Sequence, residues 1–535
     1  LRKIYLHRSS PIILLLILFI CGAAYASQYS IGENGSNAQA VHDLGITGLG
    51  VKVGLVSCRN VRDTHLAFND SNGVHVFNSD YSGSGVNWAG GDVPGHDTWV
   101  TGIVASRGWT GHPGDIGVSP GCDVYSARVV TDSDGINLSF IQNALNYLIS
   151  IKGCKVILTG FQLPSNIDPN WSRMYDYYAE QYDVVFANAS GNSYANVTVF
   201  GDGYNGITTA ALIDEPNNFY LQVGSLSNPG PAIDGRKKPE ISCPGSSQTT
   251  PSIGSDTDYY TTVKDGATSF AVPQAAGVAA LLLQYANGTP EADDGHSEVI
   301  KAVIVNSTFP NIKDKQGHTT NPTVWDPNRG YGRIDALRAF NTLSAGKISK
   351  GTTVTSTAGW AYDTMSSSAT HNYYVAGKKN ERLVLTVTWN RLMTMTKNGS
   401  NYYYHDEASP QFNMDVNVYN PSSSLIYSET DTKNNLVKID MLLPADGNYT
   451  VSLHNTTTKN NRAYGLAFEL LEPITGDFNL DYIVDEKDLN RMAIEWLTAG
   501  PDADIVHDSS NIVNYLDFAA FADNWLKFDQ RYFTP

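Results

Sequence analysis

The sequence predicts an α/β protein with a parallel sheet covered by helices, followed by an all-β sandwich or jelly roll and a small all-α module. Three observations predict it. From about Gly48 to Ala345, short apolar runs alternate with helical stretches; from 358 to 472, alternating strands follow one another with no helix between; and the last segment repeats itself at an offset of 29. A chain of 535 residues is also too long for a single core.

Residues 1–26 read as a secretory signal. Arg2, Lys3 and Arg8 form a positive start, Ile12 to Ile20 is unbroken apolar sequence, and Ala24-Tyr25-Ala26 supplies the small residues for cleavage before Ser27. The apolar run falls short of the ~20 residues a bilayer span needs. The expectation is a secreted, extracellular protein with no membrane span once the signal is removed. Cleavage removes Cys21 and leaves Cys58, Cys122, Cys154 and Cys243, for which three disulfide connectivities stay open. No zinc-type Cys/His spacing occurs. With 36 Lys+Arg against 53 Asp+Glu, a net charge of −17, the surface does not suit nucleic acid.

The first domain is expected over 27–345. Val51–Val56, Val124–Val130, Val156–Leu158 and Val184–Phe186 are its short apolar strands. The stretch Ser139–Ile151, with Ile141, Leu145 and Leu148 on one face, is helical. Near-continuous apolar strands separated by helices imply a parallel sheet buried on both faces. Residues 346–357 form a polar linker. Over 358–472, Leu383–Trp389, Met414–Tyr419 and Tyr449–Leu453 are the clearest strands, parted by turns such as Asn420-Pro421 and Asp446-Gly447.

In the tail, over 474–528, Asp488, Leu489, Met492, Ala493 and Trp496-Leu497 recur as Asp517, Phe518, Phe521, Ala522 and Trp525-Leu526. Their spacing puts the apolar residues on one helical face, so the two helices are expected to pack together. The first unit opens with Asp477, Asn479, Asp481, Ile483, Asp485 and Asp488 at loop positions 1, 3, 5, 7, 9 and 12, the seventh offering its carbonyl. This is the oxygen spacing that encloses calcium, the expected cofactor. Tyr482 stands where such loops carry glycine. The second loop keeps Asp508, Ser510, Asn514 and Asp517 but has Val506 at position 1, and is the weaker site. The tail resembles dockerin type I modules, and the resemblance implies a cohesin-like docking partner.

Three segments of the first domain carry chemistry. Gly95-His96-Asp97-Thr98 opens an apolar helix; Gly266-Ala267-Thr268-Ser269 puts a serine at a helix N-terminus, where an oxyanion is favoured; and a strand from Val184 ends near Asn192, an amide that can donate to that oxyanion. With the segments Ala40–Gly48, Gly224–Ser227, Lys238–Gly245 and Gly330–Ala336, residues 36–345 resemble the subtilases. The segment after them is similar to the β-sandwich that follows the catalytic domain in some subtilases.

The resemblance implies a serine endopeptidase acting on peptide or protein substrates. It makes Ser269 the nucleophile, His96 the general base and acid, and Asn192 the oxyanion donor. Thr159 and Gly160 fall where subtilases line the pocket for the residue before the scissile bond. The triad acid does not carry over, because Ser57 stands in its place. A serine accepts the same hydrogen bond but brings no charge. Asp63 and Asp97 are the nearest carboxylates in sequence, yet chain neighbours on a helical turn do not face each other. Only some twenty residues separate Ser27 from the catalytic fold, which leaves no room for the inhibitory propeptide of secreted subtilases. Two expectations follow: an exported endopeptidase, or a binding protein of the same fold without useful catalysis.

Overall fold

The computed structural model describes residues 26–531 except 86, 89–93, 164–167, 193–195, 215–218, 400, 479–482, 499–502, 507–511, 528 and 530. The signal-type segment, apart from its last residue, lies outside the described residues.

The first domain is built on strands β1 (Lys52–Ser57), β2 (Val76–Asp80), β3 (Asp123–Arg128), β4 (Val156–Thr159), β5 (Val185–Ala189), β6 (Ile207–Ile213), β7 (Gln222–Val223) and β8 (Ile241–Pro244). They join in the order β7-β6-β5-β4-β1-β3-β2, with β8 also on β6, and every pairing is parallel except β6–β7. β1 shows why: its last five residues are all buried, as a strand covered on both faces requires. The covering helices are α1 (His96–Ala105), α2 (Leu138–Leu145), α3 (Asn170–Tyr182), α4 (Thr268–Gly288), α5 (Ser297–Asn306) and α6 (Ala336–Ser344). The predicted helix over 139–151 is continuous, but beyond Leu145 it widens into a π-helical stretch, Asn146–Ile151. α4 is buried along nearly its whole length and forms the spine of the core; it is long and apolar enough to cross a bilayer, and here it is packed inside the domain. The helix expected at Ser269 begins at Thr268, so Ser269 lies within its first turn.

After α6 the chain forms two packed sheets. One orders Thr353–Val354, Thr370–Gly377, Gly447–Asn455, Met414–Tyr419 and Leu425–Glu429; the other Ala358–Met365, Arg462–Leu471, Arg382–Thr388 and Leu436–Leu442. The linker thus supplies a short strand of its own. The second sheet packs directly on α5. A Cβ on Gly465 would come within 2.4 Å of the Glu298 carbonyl, so only glycine permits this approach. Trp360, Leu436 and Ala467 join the core of the first domain. The four cysteines are unpaired.

In the tail, α7 (Glu486–Glu495) and α8 (Tyr515–Ala522) start with the same capping box, Asp485 with Asp488 and Asn514 with Asp517. Val484, Met492, Val513 and Phe521 make a small core. The apolar repeat does not pack as a single face. Leu489, Trp496 and Leu497, and their counterparts Phe518, Trp525 and Leu526, stay exposed, up to 67% at Leu497. Two helices of ten and eight residues cannot bury that many large side chains against each other.

Candidate active site

The parallel sheet delivers three chain segments to one cleft of about 500 Å³ at the carboxyl ends of its strands. Ser269 arrives on the first turn of α4, His96 as the first residue of α1, and Asn192 just past β5; all three line the cleft with Gly160, Arg59, Asp134 and Ile136.

Asn192 is oriented from two sides. Its Oδ1 accepts the Thr268 amide at 2.9 Å and the Thr268 hydroxyl at 3.1 Å, which satisfies the acceptor side and leaves Nδ2 as the group free to donate. The Ser269 N–H lies in the first turn of α4, where amides have no intrahelical partner, so the helix offers a second donor beside the Ser269 hydroxyl.

His96 is held by shape. Gly95, at φ +86°, turns the chain into α1 in a conformation that disfavours a side chain. The ring packs against Trp99 and Phe270 at centroid distances of 6.3 and 5.8 Å, and a Cβ added to Gly160 would lie 3.6 Å from its Cε1. Burial alone lowers its pKa to about 4. Among the described residues, no carboxylate lies within ion-pair reach of either ring nitrogen.

The residues around the missing acid are differently employed. Ser57 is fully buried at the end of β1 and accepts the Ser126 hydroxyl at 2.9 Å, on the β3 side and away from the cleft. Asp63 does not line the cleft. Asp97 does, but its carboxylate turns to the end of β1, where Oδ2 accepts the Arg59 N–H at 2.8 Å and the Cys58 N–H also binds. Burial outweighs those hydrogen bonds and raises Asp97 to about 7. Burial likewise raises the Cys58 thiol well above its ordinary value. Across the cleft mouth, Arg59 pairs with Asp134 at 2.6 Å.

Of the two pocket residues, Gly160 lines the cleft and Thr159 does not. As the last residue of a strand whose side chains alternate, Thr159 points into the core behind, with its hydroxyl 2.8 Å from that of Tyr175. The wall beyond Gly160 is Phe161, Gln162 and Leu163. Sequence reasoning missed these, since no motif marks them.

In the tail, Asp477, Ile483, Asp485 and Asp488 belong to one loop at the start of α7, while Asn479 and Asp481 lie outside the described residues. Asp477 and Asp488 are buried; Asp488 accepts the N–H of Phe478 at 2.8 Å and of Asp485 at 3.0 Å, which closes the loop on its last carboxylate. Asp517 does the same with Val506 and Asn514, each at 2.9 Å; Asp508 and Ser510 lie outside the described residues. Asp477 and Asp488 are buried carboxylates of the oxygen-donor type that a hard cation such as calcium takes.

Comparison with known proteins agrees with this geometry. The chain is 26% identical over 259 residues to subtilisin amylosacchariticus of Bacillus subtilis subsp. amylosacchariticus, and equally to subtilisin J of Geobacillus stearothermophilus. Each match takes in 48% of this chain and 62% of the relative, so the chain spans less than two thirds of the curated relatives it matches. Residues 31–333, more than half of the chain, match the peptidase S8 family, and the protein therefore belongs to the subtilase family.

Proposed function

We propose that this protein is an exported serine endopeptidase. One observation carries the reading: Ser269, His96 and Asn192, from three distant segments, meet in one cleft at the N-terminus of α4. In this reading Ser269 Oγ attacks the peptide carbonyl while His96 takes its proton. Asn192 Nδ2 and the Ser269 N–H hold the oxyanion, and His96 then protonates the leaving amine. Water releases the acyl group by the same route. With no carboxylate at its ring among the described residues, His96 is a weak base whose tautomer is unfixed, so turnover is slow.

That same bare histidine favours a second reading, a subtilase-fold binding protein. Intact-mass analysis after treatment with a small fluorophosphonate separates the two. A single adduct absent from Ser269→Ala is expected; a folded protein with no adduct turns the reading to a binding protein.

For the tail we propose a calcium-ordered docking module. Asp477, Asn479, Asp481, the Ile483 carbonyl, Asp485 and Asp488 would hold the ion, and Leu489, Trp496, Phe518 and Trp525 would present apolar surface to a cohesin-like partner on another protein. The exposure of those side chains supports this. Calorimetric titration of the full chain with calcium should show binding that Asp477→Ala with Asp488→Ala abolishes. Binding unchanged by the pair would remove the claim.

A further inference from the structure

Beside Ser269 the cleft runs between two walls, Gly160–Leu163 after β4 and Ala189–Asn192 after β5. The side chain of Gln162 crosses from one to the other. Its Oε1 accepts the backbone N–H of Asn192 at 2.6 Å, and its Nε2 donates to the Asn192 carbonyl at 3.4 Å. A Cβ placed on Gly191 would lie only 2.7 Å from that Oε1, so the amide sits close against Gly191 and leaves no room for a side chain there. The far wall cannot yield: the Asn192 side chain is fixed by Thr268, and its backbone bridges Ser227.

The geometry of attack says what that space serves. With Ser269 Oγ on the carbonyl carbon and the carbonyl oxygen at Asn192 Nδ2, the residue that owns the carbonyl is anchored against Asn192. Its side chain enters the crevice between the walls, the space that Gln162 spans. We propose that Gln162 sets the specificity of the site by closing this crevice, so that the residue whose carbonyl is attacked is small, glycine or alanine in preference to an aromatic or long aliphatic one. The inference rests on the peptidase reading and deepens it. A bulky side chain must break both Gln162 contacts and strand the backbone groups of Asn192, a loss that specificity sites turn into tenfold or larger discrimination, roughly.

The test uses the full chain and two peptidyl phosphonates that differ only in carrying alanine or phenylalanine at the reacting residue, with a small fluorophosphonate as reference. Labelling rates are read by intact mass for the wild type, Gln162→Ala and Gln162→Gly. The ratio of rates is taken within each protein, so that a general loss of reactivity cancels. The alanine reagent is expected to label the wild type at least about tenfold faster than the phenylalanine reagent, and that ratio should collapse in both variants. Should one variant fail to fold, by circular dichroism, the other carries the comparison. Equal rates in the wild type, or a ratio unchanged in a folded variant, would overturn the proposal while leaving the peptidase reading intact. A wild type that no reagent labels, the fluorophosphonate included, overturns the peptidase reading and this proposal with it.

Discussion

Two histidines in the first domain sit at opposite ends of its chemistry. His96, in the cleft, is walled by Trp99, Phe270 and Gly160, and burial drives its pKa down to about 4. His296, which caps α5, has Asp183 at 2.8 Å from Nδ1 and Asp293 at 3.6 Å from Nε2, with Glu298 close by. Its ring stacks on Tyr362 of the sandwich at 3.9 Å and 9°, and its pKa is raised, first by the Asp183 hydrogen bond. Among the described residues, the one with the constellation of a charged, oriented imidazole is thus at the junction with the sandwich, and the one beside Ser269 has no carboxylate at its ring. Neighbours, rather than residue type, decide what an imidazole does. The junction histidine is a structural clamp, further tied by Lys347, which pairs with Asp293 and Glu291.

The most direct way to break the contrast is to give His96 a carboxylate. Ser57→Asp places one at the end of β1, where the family has it. Loss of that carboxylate costs a serine peptidase roughly 10⁴ in kcat, so the gain in acylation should reach two or more orders of magnitude if the new side chain abandons the Ser126 side for the cleft. Fluorophosphonate labelling rates against pH read it twice: the rate rises, and the limb belonging to His96 moves up from about 4. An unchanged limb would show that His96 cannot be reached from position 57.

How far the sequence discloses all this depends on how local the determinant is. His96 and Ser269 stand in contiguous motifs at helix starts, and Asn192 follows a strand, so together with the flanking segments they carry the resemblance to the subtilases that singles them out. The parallel sheet is equally legible, because strands buried on both faces carry uninterrupted apolar runs. Gln162 is not legible: its role depends on a side-chain amide reaching another strand's backbone, which leaves no periodicity. Thr159 misleads for a related reason, since strand ends alternate and the residue next to Gly160 faces the core. Asp97 does not face His96, as the helical rule says, but only the fold reveals that the amides of Cys58 and Arg59 receive its carboxylate. In the tail, periodicity gives the helices but not the share of the apolar face left exposed, since that depends on how little a short helix pair can cover.

The comparison sharpens in stability against pH, where the two regions separate into different windows. Asp97 is raised from 3.8 to about 7, so between those values the folded protein keeps a proton the unfolded chain has lost. Its contribution is full below the unfolded value and lost as pH climbs to about 7, by at most about 4 kcal/mol. Asp97→Asn keeps an acceptor for the Arg59 amide without a charge to bury, so the variant should gain on the wild type from pH 4 to 7 and hold that lead above. His296, also raised, contributes fully below its unfolded value of 6.5 and fades only above it. His296→Gln should therefore lose most at acidic pH and converge on the wild type in mild alkali, a small effect because the ring is partly exposed. Melting temperatures of the three proteins from pH 4 to 9 check both. An Asp97→Asn curve parallel to the wild type would mean that burial does not hold the Asp97 carboxyl protonated in this range. A flat His296→Gln difference would mean that packing on Tyr362, and not the charge set by Asp183, is what holds the sandwich to the first domain.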